Sequence, residues 1–184
     1  MQPPINMTQD WLTARKNITP EKPFLFHGDE SLTFRELNRL VQESYIYIQT
    51  HEFIKHRDKV AILMPTGFRY VATVLALMQM QAIVVPLNTR LTPDELKWQI
   101  KNADCRMVIC TPETKELASK LVDPAYEIVS FDATTYEAVH SLSYISPKVT
   151  NDDGLIESVE LDAEFAIIHT SGTSGNPKGA VLTY

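Results

Sequence analysis

Short runs of β-branched and other apolar residues alternate with helical patterns from Lys59 onward. Strands are predicted over 60–64, 82–85, 107–110 and 127–131. Helices are predicted between them, over 68–80, 93–103 and 112 to about 121. Parallel strands need a crossover connection between them, and this connection is usually a helix. The alternation therefore predicts an α/β fold, in which successive βαβ units build a largely parallel sheet flanked by helices.

Three helix starts carry N-cap chemistry, in which a threonine hydroxyl accepts a hydrogen bond from the first turn of the helix. These starts are Thr33 with Glu36, Thr92 with Pro93 and Glu95, and Thr111 with Pro112. Each Thr/Glu pair has the spacing of a capping box, and proline suits the first helical position. The helix after Thr33 is predicted to face the core with one stripe, formed by Leu37, Leu40, Val41, Ser44 and Ile48.

The composition excludes several classes of protein. The chain has 184 residues, a net charge of −6 and 44% hydrophobic residues, which is typical of one globular domain and not of a disordered chain. An acidic chain gives no general support to binding of nucleic acid or of anionic membranes. The most apolar stretch, 70–87, is interrupted by Gln79, Gln81 and Pro86, so no membrane span is predicted.

Two cysteines and the lack of a secretory pattern after Met1 favour a cytoplasmic location. Cys105 and Cys110 are predicted to be core residues. A spacing of five along a strand would place them on opposite faces, so we expect no shared zinc and assign no metal site.

The charged residues 55–59 are interpreted as a helix-to-strand junction, and 140–162 as a surface connection. The sequence leaves a homo-oligomer open.

Half of the six glycines fall between His169 and Gly179, directly after the apolar run 165–168. Glycine tolerates the positive φ values with which a backbone folds into a concave nest of N–H groups, and such nests bind anions. Lys178 adds a mobile positive charge that can meet a polyphosphate. Further donors are the hydroxyls of Thr170, Ser171, Thr173 and Ser174. The segment therefore predicts triphosphate binding.

Two commoner nucleotide-binding patterns do not fit this spacing. A Walker loop needs glycine before its lysine and Ser or Thr after it, whereas Lys178 lies between Pro177 and Gly179. A dinucleotide fingerprint needs two glycines separated by two positions, whereas Gly172 and Gly175 are separated by three. A flexible Ser/Gly linker is the remaining interpretation, but it accounts for neither the buried strand before the segment nor the Pro-Lys-Gly after it.

The ten residues from Thr170 to Gly179 resemble the signature loop of the adenylate-forming enzymes, which include acyl-CoA synthetases, firefly luciferase and peptide-synthetase adenylation domains. Nine of the ten positions fit the pattern T-S-G-[ST]-T-G-x-P-K-G, and Ser174 replaces a threonine. His169 stands where the family more often has an aromatic residue, and we expect its ring to pack and not to catalyse. The resemblance implies that the phosphates of ATP are held by Thr170, Ser171, Gly172, Thr173, Ser174, Gly175 and Lys178.

This resemblance extends over nearly the whole chain, through 19–21, 32–37 and 86–91 in the family's order. It implies that residues 1–184 are the N-terminal portion of the family's large domain, cut just after the phosphate loop. The adenine, ribose, magnesium, acyl-group and catalytic-lysine motifs of the family would then follow Tyr184. We therefore assign no catalytic residue within 1–184 and expect these residues alone to be inactive.

The resemblance implies activation of a small carboxylic acid by ATP and Mg²⁺ to an acyl-adenylate, followed by thioester formation with coenzyme A. Within the family, 11–12, 88–91, 95–96 and 98–99 are most similar to the 2-succinylbenzoate–CoA ligases of menaquinone synthesis. Trp11 and Trp98 are also expected to be packing anchors, and Arg90 to tie a loop to the sheet. A fatty-acid–CoA ligase, a peptide-synthetase adenylation domain and a non-catalytic ATP-binding regulatory module are the alternatives.

Overall fold

A computed structural model of the chain describes residues 7–51, 54–121, 123–124, 126–130, 158–170 and 177–184. The helices of these residues are α1 (Trp11–Ile18), α2 (Phe34–His51), α3 (Phe68–Gln79), α4 (Pro93–Ala103) and α5 (Lys115–Ser119). The strands are β1 (Met7–Gln9), β2 (Pro23–His27), β3 (Glu30–Thr33), β4 (Lys59–Leu63), β5 (Ile83–Pro86), β6 (Met107–Cys110), β7 (Glu127–Ser130), β8 (Ser158–Glu160), β9 (Glu164–Thr170) and β10 (Lys178–Thr183). The strands and helices predicted from Lys59 to Ser130 are all present.

A six-stranded sheet organises the chain, with the strand order β10-β9-β5-β4-β6-β7. The neighbouring pairs β9/β5, β5/β4, β4/β6 and β6/β7 are parallel. Only the outer pair β10/β9 is antiparallel within this sheet. The predicted α/β class with a largely parallel sheet is therefore confirmed.

Helices cover both faces of this sheet, because its central strand is apolar on both faces. Val60 and Ile62 of β4 belong to one core cluster, together with the buried residues of α2 and α3. Ala61 and Leu63 alternate with them and belong to a second cluster, together with the buried residues of α4. These four side chains of β4 are all fully buried. Such two-sided burial is typical of parallel sheets.

Two predicted capping boxes are confirmed. At the start of α2, Thr33 N–H donates to Glu36 Oε2 over 2.8 Å and Glu36 N–H donates to Thr33 Oγ1 over 3.2 Å. The same reciprocal bonds join Thr92 and Glu95 at the start of α4. The pKa of the Glu95 carboxyl is lowered, because this group accepts hydrogen bonds from the Thr92 N–H and hydroxyl. The predicted stripe of α2 is also buried, since each member is at most 6% exposed: Leu37, Leu40, Val41, Ser44 and Ile48.

The predicted N-cap at Thr111 is wrong. Helix α5 begins only at Lys115, its N-cap residue is Thr114, and that residue makes no side-chain capping bond. The Thr114 hydroxyl instead donates to the Leu63 carbonyl over 2.6 Å, and it accepts a bond from Thr111 N–H over 3.1 Å. A turn therefore precedes α5, and its threonine ties the end of β4 to the start of this helix, which is shorter than predicted.

Short strands outside the main sheet join distant parts of the chain. β1 pairs antiparallel with β8, and β2 pairs antiparallel with β3. Strand β8 lies within the predicted surface connection 140–162, while 140–157 lie outside the described residues, so that prediction is untested there. Trp11 packs on the hairpin β2–β3 through the Phe24 ring, with ring centroids 5.4 Å apart, as expected of a packing anchor.

Both cysteines are buried and unbridged, as expected for core residues. The expectation that they lie on opposite faces of the sheet is wrong, because both belong to the cluster on the α4 side. Cys105 precedes β6 and follows Asp104, which has a left-handed φ of 56°, so strand alternation does not extend to it. Burial raises the pKa of the Cys105 thiol to about 12.

Two further properties apply to the described part of the chain. None of its helices combines the length and the apolar character that a bilayer crossing requires. None of its His, Cys, Asp and Glu side chains form a group of three or more that could hold a metal ion.

Leu37→Ala is expected to lower the free energy of unfolding by about 2–5 kcal/mol, because it leaves a cavity at a fully buried position of α2. Arg39→Ala, on the exposed face of the same helix, is the matched control. Its exposed side chain forms an ion pair with Glu43, and exposed pairs contribute little, so a change below about 0.5 kcal/mol is expected. Urea unfolding followed by circular dichroism measures both, and equal effects would contradict the assigned core face of α2.

Candidate functional site

The predicted phosphate loop connects the antiparallel strands β9 and β10. Thr170 ends β9 and is the register partner of Lys178, which begins β10. The Thr170 hydroxyl donates to the Lys178 carbonyl over 3.4 Å, and both residues are exposed. We refer to 169–170 and 178–179 as the two stems of the loop. The other predicted site residues lie outside the described residues, so their role is untested: Ser171, Gly172, Thr173, Ser174 and Gly175.

The loop lies at the carboxyl edge of the parallel sheet. β9 runs parallel to β5, with Ala166 beside Val84, and β5 in turn runs parallel to β4. The loop therefore leaves β9 at the edge where β4 and β5 also end. In open α/β sheets, ligands bind outside the carboxyl ends of the strands. The two stems thus occupy the position that a nucleotide site on such a sheet requires.

Another turn at this edge follows β5 and leads into α4. The Asn88 side chain accepts a hydrogen bond from Arg90 N–H over 3.0 Å, and Leu91 N–H donates to the Asn88 carbonyl over 3.1 Å. The bond that orders this turn comes from the Arg90 backbone, while the Arg90 side chain is exposed. The turn places the Thr92 capping box, and with it α4, beside the carboxyl edge.

The His169 ring packs between α4 and β10. Its centroid lies 5.9 Å from that of Trp98, in an edge-on arrangement at 72°. Its Nε2 atom lies 3.2 Å from Asn102 Oδ1. On the β10 side, a Cβ atom added to Gly179 would lie 3.6 Å from Nε2. The packing roles predicted for His169 and Trp98 are therefore confirmed.

Asn102 is the residue of this cluster that sequence reasoning missed. It follows Trp98 by four positions on α4, so both side chains project from the same face of the helix. That spacing is visible in the sequence. The sequence carries no signal, however, that the same face meets His169, which lies 67 positions away from Asn102.

The ends of β9 and β10 remote from the loop are also held in place. Arg57 Nη2 lies 2.7 Å from Glu164 Oε2, which joins the charged junction before β4 to the start of β9. Tyr184 donates from its hydroxyl to the Met78 carbonyl over 3.2 Å, and its ring lies 5.2 Å from that of Phe165. Burial raises the pKa of Tyr184 to about 12. The two stems therefore belong to a hairpin that is anchored at its other end.

Comparison with known proteins agrees with this geometry. The AMP-binding enzyme family matches residues 12–184 of the chain. Two curated relatives are named 2-succinylbenzoate–CoA ligase, one from Bacillus cereus, 31% identical over 175 residues, and one from Bacillus cytotoxicus, 35% identical over 178 residues. Each match covers 95% of this chain but only 32% of the relative, so the chain spans about a third of the relatives' length.

Solved structures show the same fold. The o-succinylbenzoate CoA synthetase of Bacillus subtilis in complex with the acyl-adenylate intermediate OSB-AMP superposes with a TM-score of 0.77 at 21% identity, covering 97% of this chain and 43% of that one. The same synthetase in complex with ATP and a magnesium ion gives a TM-score of 0.75 at 22% identity, covering 97% of this chain and 44% of that one. At 21–22% identity, these similarities show a shared fold and no more than that.

Burial lowers the pKa of the His169 imidazole from its ordinary value of 6.5. The unfolded chain therefore takes up a proton in a range where the folded chain stays neutral. The stability that neutral His169 contributes is full above about pH 6.5 and is lost as the pH falls below it. The variant His169→Phe cannot titrate at this position. We therefore expect its free energy of unfolding, relative to that of the wild type, to be higher at about pH 5.5 than at about pH 7.5. Urea unfolding at both pH values measures this, and a constant difference would contradict it.

Proposed function

Because this chain belongs to the AMP-binding enzyme family, we propose that the protein is an AMP-forming acid–thiol ligase. It activates a carboxylic acid with ATP and transfers the acyl group to coenzyme A. The observation that carries the proposal is the family match together with the position of Thr170 and Lys178, which are paired at the carboxyl edge of the sheet. The activity is that of the whole protein, of which this chain supplies the phosphate loop.

The first step of this chemistry joins two anions. A carboxylate oxygen of the acid attacks the α-phosphorus of ATP, the bond from that phosphorus to the bridging oxygen breaks, and pyrophosphate leaves. The acyl-adenylate is then attacked by the sulfur of coenzyme A, which loses its proton, and AMP leaves. Since the carboxylate is already ionised at neutral pH, the first step needs no general base. It needs neutralised β- and γ-phosphates and an α-phosphorus held in line.

The loop residues supply these two requirements in the proposal. Glycine-rich backbone N–H groups and the hydroxyls of 171–174 bind phosphate oxygens, as nests of N–H groups do. Lys178 contributes its ammonium as a point charge to the β- and γ-phosphates. Support for this role comes from its exposure at the first position of β10, directly after the loop. Thr170 orients the stem through its bond to the Lys178 carbonyl.

Mg²⁺ is proposed to enter with ATP and not to be held by a resident cluster. It binds phosphate oxygens and water and usually takes only one or two protein carboxylates. The ion supplies further positive charge beside the leaving pyrophosphate.

The acyl substrate that we propose is 2-succinylbenzoate, which would place the product in menaquinone synthesis. The support is the name shared by the relatives from Bacillus cereus and Bacillus cytotoxicus. The small-molecule partners of the protein would then be this acid, ATP and coenzyme A.

Lys178→Ala is expected to slow ATP–pyrophosphate exchange by the full-length polypeptide about 10- to 1,000-fold, by analogy with the loss of one preorganised oxyanion donor. The reason is that the triphosphate loses its mobile counter-charge. Lys55→Ala is the matched control, because Lys55 is an exposed lysine at the amino end of β4, on the opposite edge of the sheet. An unchanged exchange rate in Lys178→Ala would contradict the phosphate role.

The substrate proposal is tested by thioester formation from ATP, coenzyme A and a panel of acids: 2-succinylbenzoate, benzoate, octanoate and palmitate. We expect kcat/KM for 2-succinylbenzoate to exceed that of the others by about 100-fold or more, since a site built for polar groups rejects analogues that lack them. A preference for octanoate or palmitate would indicate a fatty-acid–CoA ligase instead. Adenylation without transfer to coenzyme A would favour an adenylation domain.

A further inference from the structure

The His169 ring touches elements that are far apart in sequence and that meet beside the phosphate loop. On one side it meets Trp98 edge-on, with centroids 5.9 Å apart, and its Nε2 atom lies 3.2 Å from Asn102 Oδ1. Both partners belong to α4. On the other side the ring lies over β10 at Gly179, its register partner across the hairpin.

Gly179 lies in contact distance of this ring and of the Ile167 side chain. A Cβ atom at that position would lie 3.0 Å from Ile167 Cγ2, 3.6 Å from His169 Nε2 and 3.9 Å from His169 Cδ2. The 3.0 Å contact with Ile167 is tighter than most Cβ contacts, so a larger residue would require the Ile167 side chain to shift, whereas the distances to the His169 ring are ordinary van der Waals contacts. An aromatic ring over a glycine in the neighbouring strand is a known way of fixing strand pairing.

The same ring therefore acts on both stems. His169 precedes Thr170 directly, and Gly179 follows Lys178 directly. Thr170 and Lys178 form the pair that closes the loop, and His169 and Gly179 form the next pair along the hairpin. A ring held by α4 and seated on Gly179 thus fixes the position of both loop ends relative to the carboxyl edge.

We propose that His169 is a positioning residue, which holds both stems of the phosphate loop against α4 and thereby sets where the triphosphate is bound. The inference rests on the proposed function, since it concerns the ATP site of that reaction. His169 itself makes no contact with substrate in this scheme. Its effect passes through Thr170 and Lys178.

In this proposal the packing of the His169 ring, more than its hydrogen bond to Asn102, holds the two stems in place. A bond to Asn102 Oδ1 requires the proton on Nε2, because an amide oxygen only accepts. The Nδ1 atom is then an acceptor, and it is buried with no hydrogen-bond partner among the described residues. A phenyl ring would keep the contacts with Trp98 and Gly179 without leaving such an atom unpaired. His169→Phe should therefore preserve the position of the stems.

The test compares His169→Ala with His169→Phe in the full-length polypeptide, by ATP–pyrophosphate exchange. We expect His169→Ala to raise the KM for ATP about 10-fold or more, because small misplacements of binding groups have large kinetic effects. The KM for the carboxylic acid should change less than about 2-fold, and His169→Phe should restore the KM for ATP to within about 3-fold of the wild type. The matched control is His27→Ala, since His27 meets the Phe68 ring at the same 5.9 Å and at 70°, and Phe68 belongs to the core cluster on the face of the sheet opposite to α4.

Amide hydrogen exchange of peptides that cover 164–170 and 178–184 provides a readout that does not depend on activity. His169→Ala should speed exchange in both peptides, and His169→Phe should not. An unchanged KM for ATP in His169→Ala, a fall in kcat alone, or unchanged amide exchange in both peptides would overturn the inference. Absence of pyrophosphate exchange in the wild type with every acid tested would overturn the proposed function instead.

Discussion

Burial of β4 on both of its faces is the constraint on which the rest of the structure depends. Val60, Ala61, Ile62 and Leu63 are all fully buried, so neither face of this strand can meet water. Helices must therefore cover both sides, and the parallel neighbours β5 and β6 must be reached through crossovers over these sides. As a consequence, the parallel strands all end at one edge, and β9 ends there with Thr170.

Much of this fold could be predicted from the sequence, because the signals are local. The capping boxes at Thr33 and Thr92 need only residues that are three positions apart, and both exist in the structure. The error at Thr111 has a tertiary cause. The hydroxyl that shapes the start of α5 belongs to Thr114, and its partner is the Leu63 carbonyl, 51 positions earlier. No local pattern encodes that preference.

The site follows the same division between local and long-range signals. The glycines, hydroxyls and Lys178 of the loop stand together in the sequence, so their phosphate-binding role is a prediction from composition and order alone. The surroundings of the loop could not, because Asn102 and His169 become neighbours only when α4 packs beside β9. Cys105 and Cys110 illustrate the same limit, since alternation holds within β6 but not in the turn before it.

The burial of the two cysteines has a practical consequence for labelling the protein. Both thiols lie in the core, and the pKa of Cys105 is raised to about 12, so its reactive thiolate is scarce at neutral pH. Thiol reagents attack thiolates, and buried thiols are correspondingly inert. A cysteine engineered into an exposed position of β10 would therefore be modified in preference to the native pair. Fluorophores or spin labels can therefore be attached to β10 without first replacing either natural cysteine.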